Sequence, residues 1–176
     1  YGVDLRIVDE DGIALPHDGA ATGDLQVRGP WVVERYFKSE TSSVDREGWF
    51  ATGDVAKIHK NGALQLTDRS KDIIKSGGEW ISSVDLENAA IAHPDVREAA
   101  VIGVPHPKWQ ERPLLLVVPT PECLPHREGI LAYLATRFAR WQIPDDVILV
   151  QSLPYTATGK LQKNVLRQTY REFYAE

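Results

Sequence analysis

The sequence predicts an α+β fold, with a β-rich first stretch followed by a small mixed sheet covered by helices. Three observations predict it. Up to about residue 67, apolar residues alternate with polar ones in short runs broken by turn chemistry, with no helical period between them. From Ser82 the apolar spacing becomes mixed, in the order helix, strand, strand, helix, strand, helix. Between the two stretches runs a charged connector, Asp68 to Asp72. The expected organisation is therefore a β-rich domain over 1–67, a linker over 68–72 and an α+β domain over 73–176.

In the first stretch, Val3, Leu5 and Ile7 alternate and Asp9-Glu10-Asp11-Gly12 supplies a turn. Leu25 and Val27 mark a second strand ended by Gly29-Pro30, and Trp31 to Phe50 reads as an irregular aromatic segment. Asp54 to His59 and Ala63 to Thr67 flank Asn61-Gly62, a hairpin signal because both residues tolerate positive φ. Further on, Ser82 or Ser83 is placed to cap a helix with Asp85 in its first turn, and His93-Pro94 stops it. Ala99 to Val104 and Leu114 to Val118 are apolar runs of strand length around a Pro105-His106-Pro107 turn. Ile130, Leu131, Leu134 and Phe138 mark a second helix, Val147 to Val150 a strand, and Val165 to Phe173 a third helix.

A net charge of -5 with no block of like charge argues against a nucleic-acid surface. No apolar run approaches the ~20 residues that span a bilayer. The single Cys123 cannot staple the fold, and a reducing cytoplasm is the natural setting. The chain opens without Met inside a strand pattern, which suggests a piece of a longer polypeptide.

Two stretches carry chemistry that no core requires. Arg69, Lys71 and Lys75 lie close together and are followed by Gly77-Gly78-Glu79-Trp80; roughly eighty residues on comes Thr156-Ala157-Thr158-Gly159-Lys160. Cations beside glycines suit phosphate, since glycine lets the backbone approach and the cation neutralises the anion. Each motif alone has a plainer reading. Asp54 after Thr52-Gly53 either accepts two hydrogen bonds from a diol or caps its own turn. The cations either reach a nucleotide or coat a solvated linker, and Trp80 reads most simply as a core anchor. The Lys160 loop fails the spacing of a phosphate-binding loop, having Pro154 and Leu161 where Gly and Ser or Thr are needed. The five His residues show no zinc spacing, and there is no Gly-x-Ser-x-Gly elbow.

Together, Trp49-Phe50-Ala51-Thr52-Gly53-Asp54, Asp68-Arg69-Ser70-Lys71-Asp72, Ile74-Lys75-Ser76-Gly77-Gly78-Glu79-Trp80 and Pro154 to Lys160 resemble the adenylate-forming acyl-CoA synthetases, over nearly the whole chain. His106-Pro107-Lys108-Trp109-Gln110-Glu111-Arg112-Pro113 is most similar to the medium- and long-chain fatty acid members. The resemblance implies a two-step reaction, in which ATP and a carboxylate give an acyl-adenylate and pyrophosphate, then CoA gives the thioester and AMP. By resemblance, Lys160 is the catalytic lysine of adenylation. Asp54 and Arg69 contact ribose and phosphate, Lys71 is the hinge, and Lys75 and Trp80 approach the adenylate. Gly77 and Gly78 line the CoA path.

The Ser/Thr/Gly-rich phosphate loop expected upstream in that family is not in this sequence, so the magnesium ligand and adenine pocket are expected outside it. The resemblance thus implies a C-terminal mobile lid preceded by the β-rich end of a large N-terminal domain. The fragment would be inactive alone, with that domain as its partner, and a homodimeric parent remains compatible. Ligases for aryl or short sulfur-containing acids, luciferase-like oxidases, peptide-synthetase adenylation domains and a non-catalytic interaction module of the same fold stay open as alternatives.

Overall fold

A computed structural model describes residues 2–123 and 125–175. The chain divides into two compact units, the first reaching Lys71 and the second beginning at Asp72. The architecture is α+β, as the sequence predicts.

The first unit is a four-stranded antiparallel sheet in the order β1 (Asp4–Val8), β2 (Gly23–Arg28), β3 (Phe50–Ile58), β4 (Leu64–Arg69). Its core is Ile7, Leu25, Ala56 and Ile58, the inward half of the alternation. Asn61-Gly62 does form the tight connection, with Gly62 at φ 83° and Asn61 Oδ1 accepting from the Ala63 amide at 3.0 Å. β3 begins at Phe50, four residues before its expected start. Trp49 makes this possible, because its ring lies between the guanidinium groups of Arg6 and Arg28, at 4.3 and 4.5 Å. Its backbone closes a turn on Asp45, whose carboxylate is held below its usual pKa chiefly by the hydrogen bond from the Trp49 amide. The expected linker 68–72 is shorter in the structure. Asp68 and Arg69 extend β4, because Arg69 pairs with Asp54 across the ladder.

The second unit holds β5 (Ile74–Ser76), β6 (Glu79–Ile81), α1 (Ser83–Ile91), β7 (Val96–His106), β8 (Gln110–Pro119), α2 (Arg127–Ala135), a 3-10 turn (Arg140–Gln142), β9 (Asp146–Leu149) and α3 (Lys163–Thr169). The sheet order is β6-β5-β8-β7, with β9 parallel to β8. The unbroken apolar run of β8 is explained by burial on both faces. Leu115 and Val117 join the α1–α2 side with Leu86, Ala90, Ile130 and Leu134. Leu114, Leu116 and Val118 join the opposite side with Leu166 of α3.

Ser82 is the N-cap of α1, its Oγ accepting from the Asp85 amide at 3.1 Å. Several expected boundaries move, and α2 stops at Ala135, short of Phe138. β7 runs on through Pro105 and His106, because β7 is an edge strand and tolerates a residue without an N–H. α3 stops at Thr169 and not at Phe173. Tyr170, Phe173 and Tyr174 instead form a turn whose rings meet edge to face, with centroids 6.4 and 5.0 Å apart.

Candidate functional site

In the first unit the geometry gathers around Asp54. Gly53 has φ 76°, with open space where a Cβ would stand, so the chain turns sharply without strain. Thr52 Oγ1 donates to the Leu25 carbonyl at 3.1 Å and accepts from the Asp54 amide at 3.1 Å. Asp54 is thereby fixed in the middle of β3, half-buried and opposite Arg69 of β4, whose Nε lies 3.0 Å from its Oδ1. Arg69 is largely exposed, so this pair contributes little to stability. A partly exposed carboxylate held in this way suits a diol.

In the second unit, Gly77 and Gly78 form the two-residue turn between β5 and β6, with φ 61° and 86°. Both need the left-handed region, which is the glycine preference of such a hairpin. A Cβ on Gly77 would stand 3.0 Å from Trp109, whose carbonyl accepts the Gly77 amide at 3.0 Å. The structure makes these glycines a hairpin tip closed by Trp109. Across the hairpin Lys75 pairs with Trp80, and its ammonium lies 5.4 Å from the Trp80 ring. Trp80 is half-buried beside a cation and is not the core anchor that its size suggests.

Lys160 ends a loop closed by its own bonds. Thr156 N donates to Lys160 O at 2.8 Å, Lys160 N donates to Thr156 Oγ1 at 3.0 Å, and Gly159 N donates to Thr156 O at 2.9 Å. Tyr155 pins the loop to β7 through its hydroxyl, 3.0 Å from Glu98 Oε2; burial first, and then this bond, raise the Tyr155 pKa. On the other side Lys163 opens α3 with its ammonium 2.7 Å from both Glu87 Oε1 and Ser83 Oγ. The Lys160 side chain itself is exposed and makes no ion pair or hydrogen bond among the described residues.

The Lys163–Glu87 pair is nearly buried, each partner about one-tenth exposed, and Glu87 also accepts the Val101 amide at 2.8 Å. Glu87→Ala would strand the Lys163 charge. It is expected to destabilise the second unit by about 2–3 kcal/mol, just under the range for fully buried pairs. Urea denaturation followed in the second unit measures this.

Sequence reasoning missed a second cluster. Arg112 is buried on β8 and makes a fork to Asp145, with Nε to Oδ2 at 2.8 Å and Nη2 to Oδ1 at 2.7 Å. An open groove of about 650 Å³ lies beside it, lined by Ser76, Gly77, Trp109, Arg112, Arg140 and Trp141 among others. The pair is 33 residues apart in sequence and belongs to no local pattern. The only available signal is a charge at the start of an apolar strand.

Among the described residues no group of three His, Cys, Asp or Glu side chains could hold a metal ion, and no helix is long and apolar enough to cross a membrane.

Comparison with known proteins accounts for both units. Residues 85–160 match the AMP-binding enzyme C-terminal domain. The chain is 55% identical to 3-methylmercaptopropionyl-CoA ligase of Ruegeria pomeroyi over 98% of its length and 32% of that protein's. It is 52% identical to medium-chain-fatty-acid–CoA ligase of Ectopseudomonas oleovorans, over 97% of this chain and 31% of that one. ATP-bound MatB of Rhodopseudomonas palustris has the same fold with a TM-score of 0.85 at 35% identity, over 99% of this chain and 35% of that one. The chain thus spans about a third of the length of the curated relatives it matches. Residues 85–160 are thus an AMP-binding enzyme C-terminal domain, and the homologues of the chain are acyl-CoA ligases.

Proposed function

We propose that this chain acts as the carboxyl-terminal part of an ATP-dependent acyl-CoA ligase, with the second unit as its mobile lid and the first as the end of a larger N-terminal domain. A carboxylate oxygen attacks the α-phosphorus of ATP and pyrophosphate leaves. The CoA thiol then attacks the acyl carbonyl, and AMP leaves with the electron pair of the broken C–O bond. Lys160 places a positive charge where the carboxylate and α-phosphate crowd negative charge together. Asp54 and Arg69 take the ribose and phosphate, Lys71 is the pivot, and Lys75 and Trp80 flank the adenylate. The Gly77-Gly78 tip leaves a narrow path for the CoA arm, and the adjoining groove with Arg140, Trp109 and Trp141 offers a cation and ring faces to its nucleotide end. No step is assigned to magnesium. The lone Cys123 suits a cytoplasmic setting.

The observation that carries this reading is the Lys160 loop. It is pinned by its own bonds and by Tyr155, with an uncommitted ammonium, in a chain homologous to CoA ligases over nearly its full length. For the acid we propose a linear aliphatic carboxylate of medium or longer chain, or its thioether analogue, because a sulfur replacing one methylene leaves an unbranched apolar tail. One methylene is worth about 1–3 kcal/mol in a hydrophobic pocket. A series of kcat/KM values for the full-length enzyme from 3-(methylthio)propanoate through octanoate to palmitate, with benzoate as contrast, therefore tests it. Preference for benzoate would reject the linear tail.

The chain alone is a weak nucleotide binder on this reading. Arg69, Lys71 and Lys160 are exposed, and each solvent-facing ion pair contributes about 0–1 kcal/mol. Calorimetric titration of ATP into this chain is expected to give a Kd no tighter than about millimolar, which corresponds to about 4 kcal/mol. Micromolar binding would show a complete nucleotide site within it.

A further inference from the structure

Among the described residues the buried charged side chains are Asp68 and Arg112, and Arg112 is the one buried cation, which no step above uses. All five of its N–H donors are satisfied. Nε donates to Asp145 Oδ2 at 2.8 Å. Nη1 donates to Ser76 Oγ at 3.1 Å and to the Trp141 carbonyl at 2.7 Å. Nη2 donates to Asp145 Oδ1 at 2.7 Å and to the Ile143 carbonyl at 2.9 Å. Guanidinium is planar and rigid, so these bonds fix directions as well as distances. Two of the partners are carbonyls in and just after the 3-10 turn that carries Arg140 and Trp141. A third is Ser76, the residue immediately before Gly77. Arg112 therefore ties together the two walls of the groove, the hairpin tip on one side and the Arg140–Trp141 turn on the other. On the hairpin wall Glu111 Oε2 also accepts the Lys75 amide at 3.1 Å, whereas Arg112 bonds to both walls. On the hairpin side the ladder joins β5 to β8 through Ser76 and Gln110 alone.

We propose that Arg112 is a positioning residue for the thioester half-reaction, setting the separation between the Gly77-Gly78 tip and the Arg140–Trp141 turn and so the fit of the ligand that occupies the groove. The inference rests on the assignment of that groove to CoA. Arg112 touches no reacting atom and acts through Ser76 and Trp141. The fold needs a buried partner for Asp145 much less than the groove needs this fork, since Asp145 is itself about two-fifths exposed.

Lysine keeps the charge of Arg112 but has three donors on one atom in place of the planar five-donor fork, so it cannot keep all five bonds. In this chain, Arg112→Lys is expected to speed hydrogen exchange at the Gly77 and Ile143 amides about tenfold or more, the scale of losing a charge-assisted hydrogen bond. Amides of β7 should be unchanged. In the full-length enzyme the same variant should raise the KM for CoA about tenfold while ATP–pyrophosphate exchange stays within about twofold. Ser76→Ala, which removes one wall's bond and no charge, should give the same split more weakly. Unchanged exchange at both walls, or equal loss of both half-reactions, overturns the positioning role. The CoA assignment fails separately: CoA added to the wild-type enzyme would then leave Trp109 and Trp141 fluorescence and the Gly77 amide unaffected.

Discussion

In the full-length ligase, Lys160→Ala is expected to slow pyrophosphate release by about 10²–10³, the scale of removing one preorganised charge from a developing anion. The structure makes the substitution clean. The bonds that close the Lys160 loop come from its backbone N and O, from the Thr156 hydroxyl and from the Gly159 amide. The Tyr155–Glu98 bond and the Lys163–Glu87–Ser83 cluster pin the flanking residues. The Lys160 side chain takes part in none of these, so alanine deletes a charge and leaves the loop standing. Stability should change by no more than about 0.5 kcal/mol, as for surface substitutions generally. Thioester formation from a supplied acyl-adenylate should be largely spared, because that step no longer involves the α-phosphate's approach to a carboxylate. Rapid-quench measurement of each half-reaction separates the two. A parallel fall in both, or a marked loss of stability, would mean that Lys160 supports the loop and not the chemistry.

The sequence made some of this legible and hid the rest for physical reasons. Asn61-Gly62, the Ser82 cap and the doubly buried run of β8 were readable because each is set by local backbone preference or by a period. The early start of β3 was not, because it depends on Trp49 being held between Arg6 and Arg28, which are contributed by other strands. Asp54 and Lys160 were visible as motif positions, but what holds them was not. Thr52 reaches the Leu25 carbonyl 27 residues away, and Tyr155 reaches Glu98 57 residues away. Arg112 is the extreme case. Its meaning lies wholly in Ser76, Trp141, Ile143 and Asp145, none of which is near it in sequence. Gly77-Gly78 stood out in the sequence only as glycines beside cations, and the register of β5 with β6 shows that they are a hairpin tip and that Lys75 and Trp80 face each other.

Lys71→Pro is expected to spare adenylation and slow thioester formation by about 10²-fold, the scale of misplacing a reacting group by an ångström. The residues on either side explain why the effect should concentrate there. Ser70 is fastened to the first unit, its amide 3.0 Å from the Gly53 carbonyl and its hydroxyl 2.5 Å from Asp24 Oδ1. Asp72 is fastened to the second, its carboxylate 2.6 Å from Arg167 Nη1 of α3. Lys71 is exposed and lies outside every strand, so it is the one residue between two anchored neighbours. If the lid rotates between the two steps, the backbone change must gather at its φ and ψ. Proline fixes φ near −65° and restricts Ser70 as well. It should therefore hold the lid in the arrangement that serves the first step. Lys71→Ala, which leaves φ free, should keep both half-reactions within a few-fold, so the pair of variants separates backbone freedom from side-chain charge. Stopped-flow measurement of thioester formation decides it. An unchanged second step in Lys71→Pro would place the pivot elsewhere, and equal slowing in Lys71→Ala would assign the effect to the lysine charge.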